Sequence, residues 1–170
     1  MKSVYNFVVK PKGERYNNTK KLDGGELILN TEIFNHQYVN REATVISTPI
    51  IGDTDIKPGD TVVVHHNVFR RWHNVKGIEK NSKAYFNEDT YFINNDQIFL
   101  YKRKDKWIAP KGYCFVIPLK ATDQFNTESE KPLQGIVKYS DGTVEVGDLV
   151  GYRPSSEYEF IVDGERLFRV

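Results

Sequence analysis

The 170-residue sequence has a single cysteine, Cys114, and no long apolar run. One thiol cannot form an internal disulfide, and it excludes a zinc site built from several cysteines. No stretch approaches the roughly 20 consecutive apolar residues of a membrane helix. Residues 1–13 also lack the apolar segment of a secretory signal. We therefore expect a reduced, cytoplasmic protein with no membrane partner.

The sequence also lacks an excess of charge of either sign. Its 24 Lys and Arg residues oppose 23 Asp and Glu residues, for a formal charge of +1. Proteins that bind nucleic acid through their overall charge are usually strongly basic, so a nucleic-acid partner is not expected. Ten Tyr and ten Phe residues are too many for a disordered chain. These features predict one large folded domain or two small ones.

Apolar residues occur in short runs that are rich in β-branched and aromatic side chains and bounded by turn formers. No stretch sustains helical spacing. We predict an all-β fold with strands spaced as in small barrels or sandwiches. The predicted strands are 5–9, 27–29, 43–46, 61–64, 91–93, 98–101, 114–117, 135–137, 149–152, 158–162 and 167–168.

Two motifs occur twice. The run FVVKP at 7–11 reappears loosely as FVIP at 115–118, and IKPGDTVV at 56–63 reappears as VEVGDLVG at 144–151. The offsets, 108 and 88 residues, differ, so one copy carries residues that the other lacks. A repeat of this length indicates a domain duplication. We predict two modules, 1–108 and 109–170, with an insertion at about 68–87 in the first.

The order and spacing of these motifs resemble the chaperonin-10 (GroES) family. The second module resembles it through VGDLV at 146–150 and DGERLF at 163–168, and the first through KPGDTV at 57–62. The segments REATVI at 41–46 and QGIV at 134–137 lie where the family has R-G-x-V. The resemblance implies two tandem GroES-like small β-barrels with no catalytic residues and no cofactor.

The segment GGELIL at 24–29 follows a polar, turn-rich stretch. In the GroES family a flexible loop at this place ends in a Gly-Gly-apolar tip that binds a chaperonin. The resemblance thus implies that Gly24, Gly25, Leu27, Ile28 and Leu29 bind a GroEL-type chaperonin, which itself binds ATP. The residues alone also fit an ordinary strand after an Asp-Gly-Gly turn. Segment 121–133 has no such triplet, so only the first module would dock.

The implied function is that of a co-chaperonin. It would form a homo-oligomeric ring, cap the chaperonin and assist ATP-dependent protein folding. The divergence from the family is similar to that of bacteriophage co-chaperonins, which implies the host cytoplasm as its location. The alternative is a structural or assembly protein, for example of a virion, that uses the same barrels for oligomer contacts.

Basic and aromatic residues mix at FRRWH, 69–73, and KRKDKW, 102–107. This composition is typical of a subunit interface with Arg and Trp anchors, or of a stacking surface for single-stranded nucleic acid. We identify Arg70, Arg71, Trp72 and Trp107 as a candidate interface or nucleic-acid face. The near-neutral net charge favours the interface.

The sequence contains no motif that indicates an enzyme. It has no nucleophile elbow, glycine-rich phosphate loop or spaced carboxylate pair. His65 and His66 follow a predicted strand without a break. Adjacent strand residues point to opposite faces, so we do not expect this pair to hold a metal.

Overall fold

The structure is a computed structural model that describes residues 1–16, 19–22, 25–28, 39–120 and 130–170. The predicted all-β fold is confirmed, because these residues form short strands and a single turn of 3-10 helix, Asn95–Gln97. No helix among them is long and apolar enough to cross a membrane. The strands are β1 (Phe7–Pro11), β2 (Thr19–Leu22), β3 (Gly25–Ile28), β4 (Glu42–Ser47), β5 (Thr61–Val64), β6 (Arg71–His73), β7 (Glu79–Asn81), β8 (Tyr85–Asn87), β9 (Thr90–Ile93), β10 (Ile98–Arg103), β11 (Lys106–Ile108), β12 (Cys114–Lys120), β13 (Glu130–Ser140), β14 (Leu149–Gly151), β15 (Tyr158–Val162) and β16 (Glu165–Arg169).

The chain divides into two compact units, Met1–Ile98 and Phe99–Val170. The β10–β11 hairpin belongs with the second unit, whereas the sequence placed residues 1–108 in the first module. The sheets are open among the described residues. In the second unit, for example, β14 and β15 lie at opposite edges. The predicted closure into barrels is therefore not confirmed.

Both units use the same antiparallel strand order. The five core strands of the first unit run β5-β4-β1-β9-β8, and those of the second run β14-β13-β12-β16-β15. Numbered along the chain within each unit, both orders are 3-2-1-5-4. Within the described residues, the hairpins β2–β3 and β6–β7 of the first unit have no counterpart in the second unit, of which residues 121–129 lie outside the described ranges. The repeated sequence motifs therefore correspond to a repeated framework.

The strand register shows which residues of the two units correspond. Pro11 pairs with Ala43 in the first unit, and Pro118 pairs with Gly135 in the second. When the two strands are aligned on these prolines, the register shift that follows Val8 in β1 falls at the same place as the register shift that precedes Val116 in β12. The sequence motifs alone align Phe7 with Phe115, whereas the strand register aligns Val8 with Phe115. The sequence alignment is therefore wrong by one residue. A bulge shifts the register without changing the apolar character of the run, so sequence alone does not reveal it.

The repeated Gly-Asp motif forms the same turn in both units. Asp60 Oδ2 accepts a hydrogen bond from Lys57 N at 2.9 Å, and Asp148 Oδ2 accepts one from Glu145 N at 3.2 Å. The two aspartates differ in environment, because Asp60 is buried and Asp148 is exposed. In each case the carboxylate holds the turn that leads into the next strand.

The glycine before each aspartate makes the close approach to the neighbouring strand. Gly59 N donates to Val45 O at 2.8 Å, and Gly147 N donates to Val137 O at 2.9 Å. Their φ angles are +92° and +99°. Other residue types rarely adopt this left-handed conformation, so the motif needs glycine here.

Asp60→Ala is expected to lower the free energy of unfolding by about 1–2 kcal/mol, because it removes the acceptor for a backbone amide at a buried turn. Asp148→Ala is expected to cost less than half as much, since water can replace the exposed carboxylate. Urea denaturation measures both. The exposed Asp53 is the control, and its replacement by alanine should change nothing measurable. Equal losses for Asp60→Ala and Asp53→Ala would contradict this account of the turn.

Each unit has its own aromatic core. In the first, Phe69 packs edge-on against Tyr91, with ring centroids 4.8 Å apart. In the second, Phe160 packs edge-on against Phe99 at 5.3 Å and against Phe115 at 5.6 Å. All five side chains are almost fully buried. The buried Phe69 lies two residues before β6.

Candidate functional site

The segment between β1 and β4 contains the β2–β3 hairpin. The two strands pair in antiparallel register from Thr19 opposite Ile28 to Leu22 opposite Gly25. Among the described residues they form a two-stranded sheet of their own. The sequence did not predict β2, because its residues TKKL show little apolar alternation.

The hairpin includes part of the predicted docking motif. Gly25, Leu27 and Ile28 lie on β3. Gly24 and Leu29, the other two predicted positions, lie outside the described residues. Three of the five positions thus follow one another closely on a paired strand.

Four residues close the base of this segment, and we call them the neck: Arg15, Tyr16, Val39 and Asn40. Tyr16 and Val39 form an antiparallel bridge. Asn40 N donates to Arg15 O at 2.9 Å, and the Asn40 side-chain amide donates to Glu14 O at 2.9 Å. All four neck residues are buried. The residues that flank segment 17–38 are therefore adjacent and hydrogen-bonded to each other.

Arg15 joins the neck to the rest of the first unit. Its Nε donates to Phe69 O at 3.2 Å, and its guanidinium donates to Asn81 Oδ1 at 2.9 Å and to Glu88 Oε1 at 3.3 Å. The guanidinium carbon lies 5.6 Å from the Tyr91 ring centroid. Burial raises the pKa of Tyr91 to about 12, so its phenol stays neutral beside the cation.

Arg71 also contacts the neck. Tyr16 Oη accepts a hydrogen bond from Arg71 N at 2.9 Å and donates to Arg71 O at 3.2 Å. The Arg71 guanidinium lies 5.4 Å from the Tyr16 ring centroid, and it lies 4.0 Å from a Glu79 carboxylate oxygen. This member of the predicted Arg/Trp face therefore fastens β6 to the neck.

Arg70 and Trp72 line a cavity instead. The Arg70 guanidinium carbon lies 6.0 Å from the Trp72 ring centroid. The cavity has a volume of about 320 Å³, and its wall also includes Asn67, Lys83 and Gln97. The structure therefore brings together Arg70 and Trp72 of the predicted face. Sequence reasoning missed the other lining residues, which carry no motif.

Trp107, the fourth member of the predicted face, packs within the second unit. Its Nε1 donates to Asp163 Oδ2 at 2.7 Å, and Lys102 Nζ lies 5.2 Å from its ring centroid. Its side chain is largely buried. These contacts hold the β10–β11 hairpin to the second unit.

The two adjacent histidines stack on each other. Their ring centroids are 4.3 Å apart, with 28° between the ring planes. The expectation that they point to opposite faces is wrong, because β5 ends at Val64 and strand alternation ends with it. His65 Nδ1 accepts a hydrogen bond from Asn67 N at 3.1 Å. Within the described ranges no group of three or more His, Cys, Asp or Glu is placed to hold a metal ion.

Comparison of the chain with protein-family models, with curated proteins and with solved structures gives no match. The features that bear on function are therefore the β2–β3 hairpin with its neck and the cavity of the first unit that contains Arg70 and Trp72.

Proposed function

We propose that this chain is a co-chaperonin, a non-enzymatic lid that binds a GroEL-type chaperonin ring and assists ATP-dependent protein folding. The observation that carries the proposal is the β2–β3 hairpin, whose β3 strand bears Leu27 and Ile28. It lies between two strands that pair directly with each other, β1 and β4. This is the position at which the GroES resemblance implies a docking loop.

The expected free energy of binding suits a contact that forms and dissociates repeatedly. Burying an aliphatic side chain contributes roughly 1.5–3 kcal/mol. The loss of translational and rotational freedom on association costs roughly 4–15 kcal/mol, which offsets most of that gain. A single hairpin therefore binds weakly. Several identical hairpins on one ring bind well, because each contact raises the effective concentration of the next.

An exposed apolar patch on the first unit supports self-assembly. Tyr5, Ile50 and Ile51 are exposed, and backbone hydrogen bonds hold the two segments together, from Ile50 N to Ser3 O at 3.1 Å and from Ile51 N to Val4 O at 2.9 Å. Ordered apolar side chains that face solvent in a group mark protein interfaces. A homo-oligomeric ring would cover this patch.

The test is co-elution with a bacterial GroEL-type chaperonin in size-exclusion chromatography, with and without ATP. The wild-type chain is expected to co-elute only with nucleotide, since the partner's ATP-bound state presents the docking surface. Ile28→Asp places a charge on β3 and should reduce co-elution at least tenfold.

Ile161→Asp is the matched control, because Ile161 is an exposed strand isoleucine far from the hairpin in sequence. It is expected to co-elute like the wild type. Failure of the wild-type chain to co-elute in any nucleotide state contradicts the proposed function. Equal losses in both variants contradict the assignment of β3 as the docking site.

The exposed patch also favours a second candidate, a structural or assembly protein whose two units serve oligomer contacts alone. Tyr5 and Ile50 would then be essential for assembly and β3 would not. An Ile28→Asp variant that assembles normally, in a protein that never co-elutes with a chaperonin, would favour this candidate.

A further inference from the structure

The cavity that contains Arg70 and Trp72 is built from four separate parts of the first unit. Asn67 follows β5, Arg70 and Trp72 lie at the start of β6, Lys83 lies between β7 and β8, and Gln97 ends the 3-10 turn. Its volume of about 320 Å³ is within the range of small-molecule sites.

Hydrogen bonds fix the walls of the cavity. Ser82 Oγ donates to Val68 O at 2.6 Å, which ties the β7–β8 connection to the segment between β5 and β6. His65 N donates to Gln97 O at 2.9 Å. Gln97 Oε1 accepts from Asn94 N at 2.9 Å, which sets the plane of its amide. These hydrogen bonds join the wall segments to one another.

The charged side chains of the wall are all cationic. Arg70 and Lys83 line it, and none of its described lining residues is a carboxylate. The Nε of Arg70 is buried and has no hydrogen-bond acceptor among the described residues. A buried donor without a partner is costly, and an anionic ligand would supply the acceptor.

The remaining wall residues suit a planar, polar group. Trp72 contributes an indole, the kind of ring on which a nucleobase stacks. Asn67 and Gln97 carry side-chain amides, which can pair with the donor and acceptor edge of a nucleobase. Two cations, one aromatic ring and two amides suit a ligand that carries both an anionic group and a planar ring with hydrogen-bonding edges.

We infer that this cavity binds a nucleoside phosphate, with the phosphate at Arg70 and Lys83 and the base on Trp72. The ligand is either a free mononucleotide or one nucleotide of a single strand, since both present the same phosphate and base. Arg71, which faces Tyr16, takes no part in binding.

Isothermal titration calorimetry with AMP, and separately with a six-residue oligoadenylate, tests the inference on the full chain. Trp72→Leu is expected to weaken binding by roughly tenfold to a hundredfold through lost stacking. Arg70→Gln and Lys83→Gln should each weaken it about tenfold or more. Lys83 is exposed, so its variant is expected to fold even if the other two do not.

Arg71→Gln is the control, and it should leave the affinity within about twofold. Similar affinity for AMP and the oligonucleotide assigns a mononucleotide ligand. A much tighter, strongly salt-dependent affinity for the oligonucleotide assigns single-stranded nucleic acid. Absence of binding to both at millimolar concentration overturns the inference, and so does binding that Lys83→Gln leaves unchanged. Neither result bears on co-elution with a chaperonin, so the two proposals fail separately.

Discussion

Gly135→Ala is expected to lower the free energy of unfolding of the second unit by about 2–3 kcal/mol, near the upper end for an overpacked core. A Cβ at this position would lie 2.7 Å from Val116 Cγ2 and 2.8 Å from Ile117 O. Gly135 pairs with Pro118 in the β12–β13 ladder, so the carbonyl can move away only if the strands separate.

The first unit supplies the control for this prediction. Its equivalent residue, paired with Pro11, is Ala43, which is fully buried. Ala43→Gly should cost about 1 kcal/mol, mostly from backbone entropy and a lost methyl group. Thermal and urea denaturation measure both variants. A Gly135→Ala variant that unfolds like the wild type would contradict the close approach of β12 to β13 at this position.

Arg15→Ala is expected to destabilise the first unit by about 2–4 kcal/mol. The change leaves Phe69 O and Asn81 Oδ1 without their donor and opens a gap beside Tyr91. Glu88 is mostly exposed, so the loss of its ion pair adds little. The measurement is urea denaturation followed by tryptophan fluorescence.

Lys12→Ala removes an exposed ion pair with Glu42, at 3.2 Å, and serves as the control. It is expected to change stability by less than about 0.5 kcal/mol. If Arg15→Ala and Lys12→Ala gave the same small loss, then Arg15 would not hold the neck. A proteolysis rate for segment 17–38 that rises only in Arg15→Ala would support the role given to the neck.

The strand positions could be predicted well from local sequence. The runs 61–64 and 158–162 coincide with β5 and β15, since β-branched and aromatic residues between turn formers specify a strand without help from distant residues. The Gly-Asp turns were also predictable, because a left-handed glycine followed by a carboxylate is a local requirement.

The short polar strands could not be predicted in this way. The sequences RWH in β6 and EKN in β7 have no alternation, and they become strands by pairing with each other. The cavity was beyond sequence reasoning for a related reason. Trp72, Lys83 and Gln97 lie on separate elements, and only the fold of the first unit brings them together.

The neck affects which part of the first unit can vary in sequence. The Tyr16–Val39 bridge holds the two ends of segment 17–38 together through residues outside the segment. Closing a flexible loop costs only about 0.6 kcal/mol more for each doubling of its length. We therefore expect the framework to tolerate changes in the length and sequence of this segment. A chain built this way can exchange one binding partner for another while its core sequence stays constant.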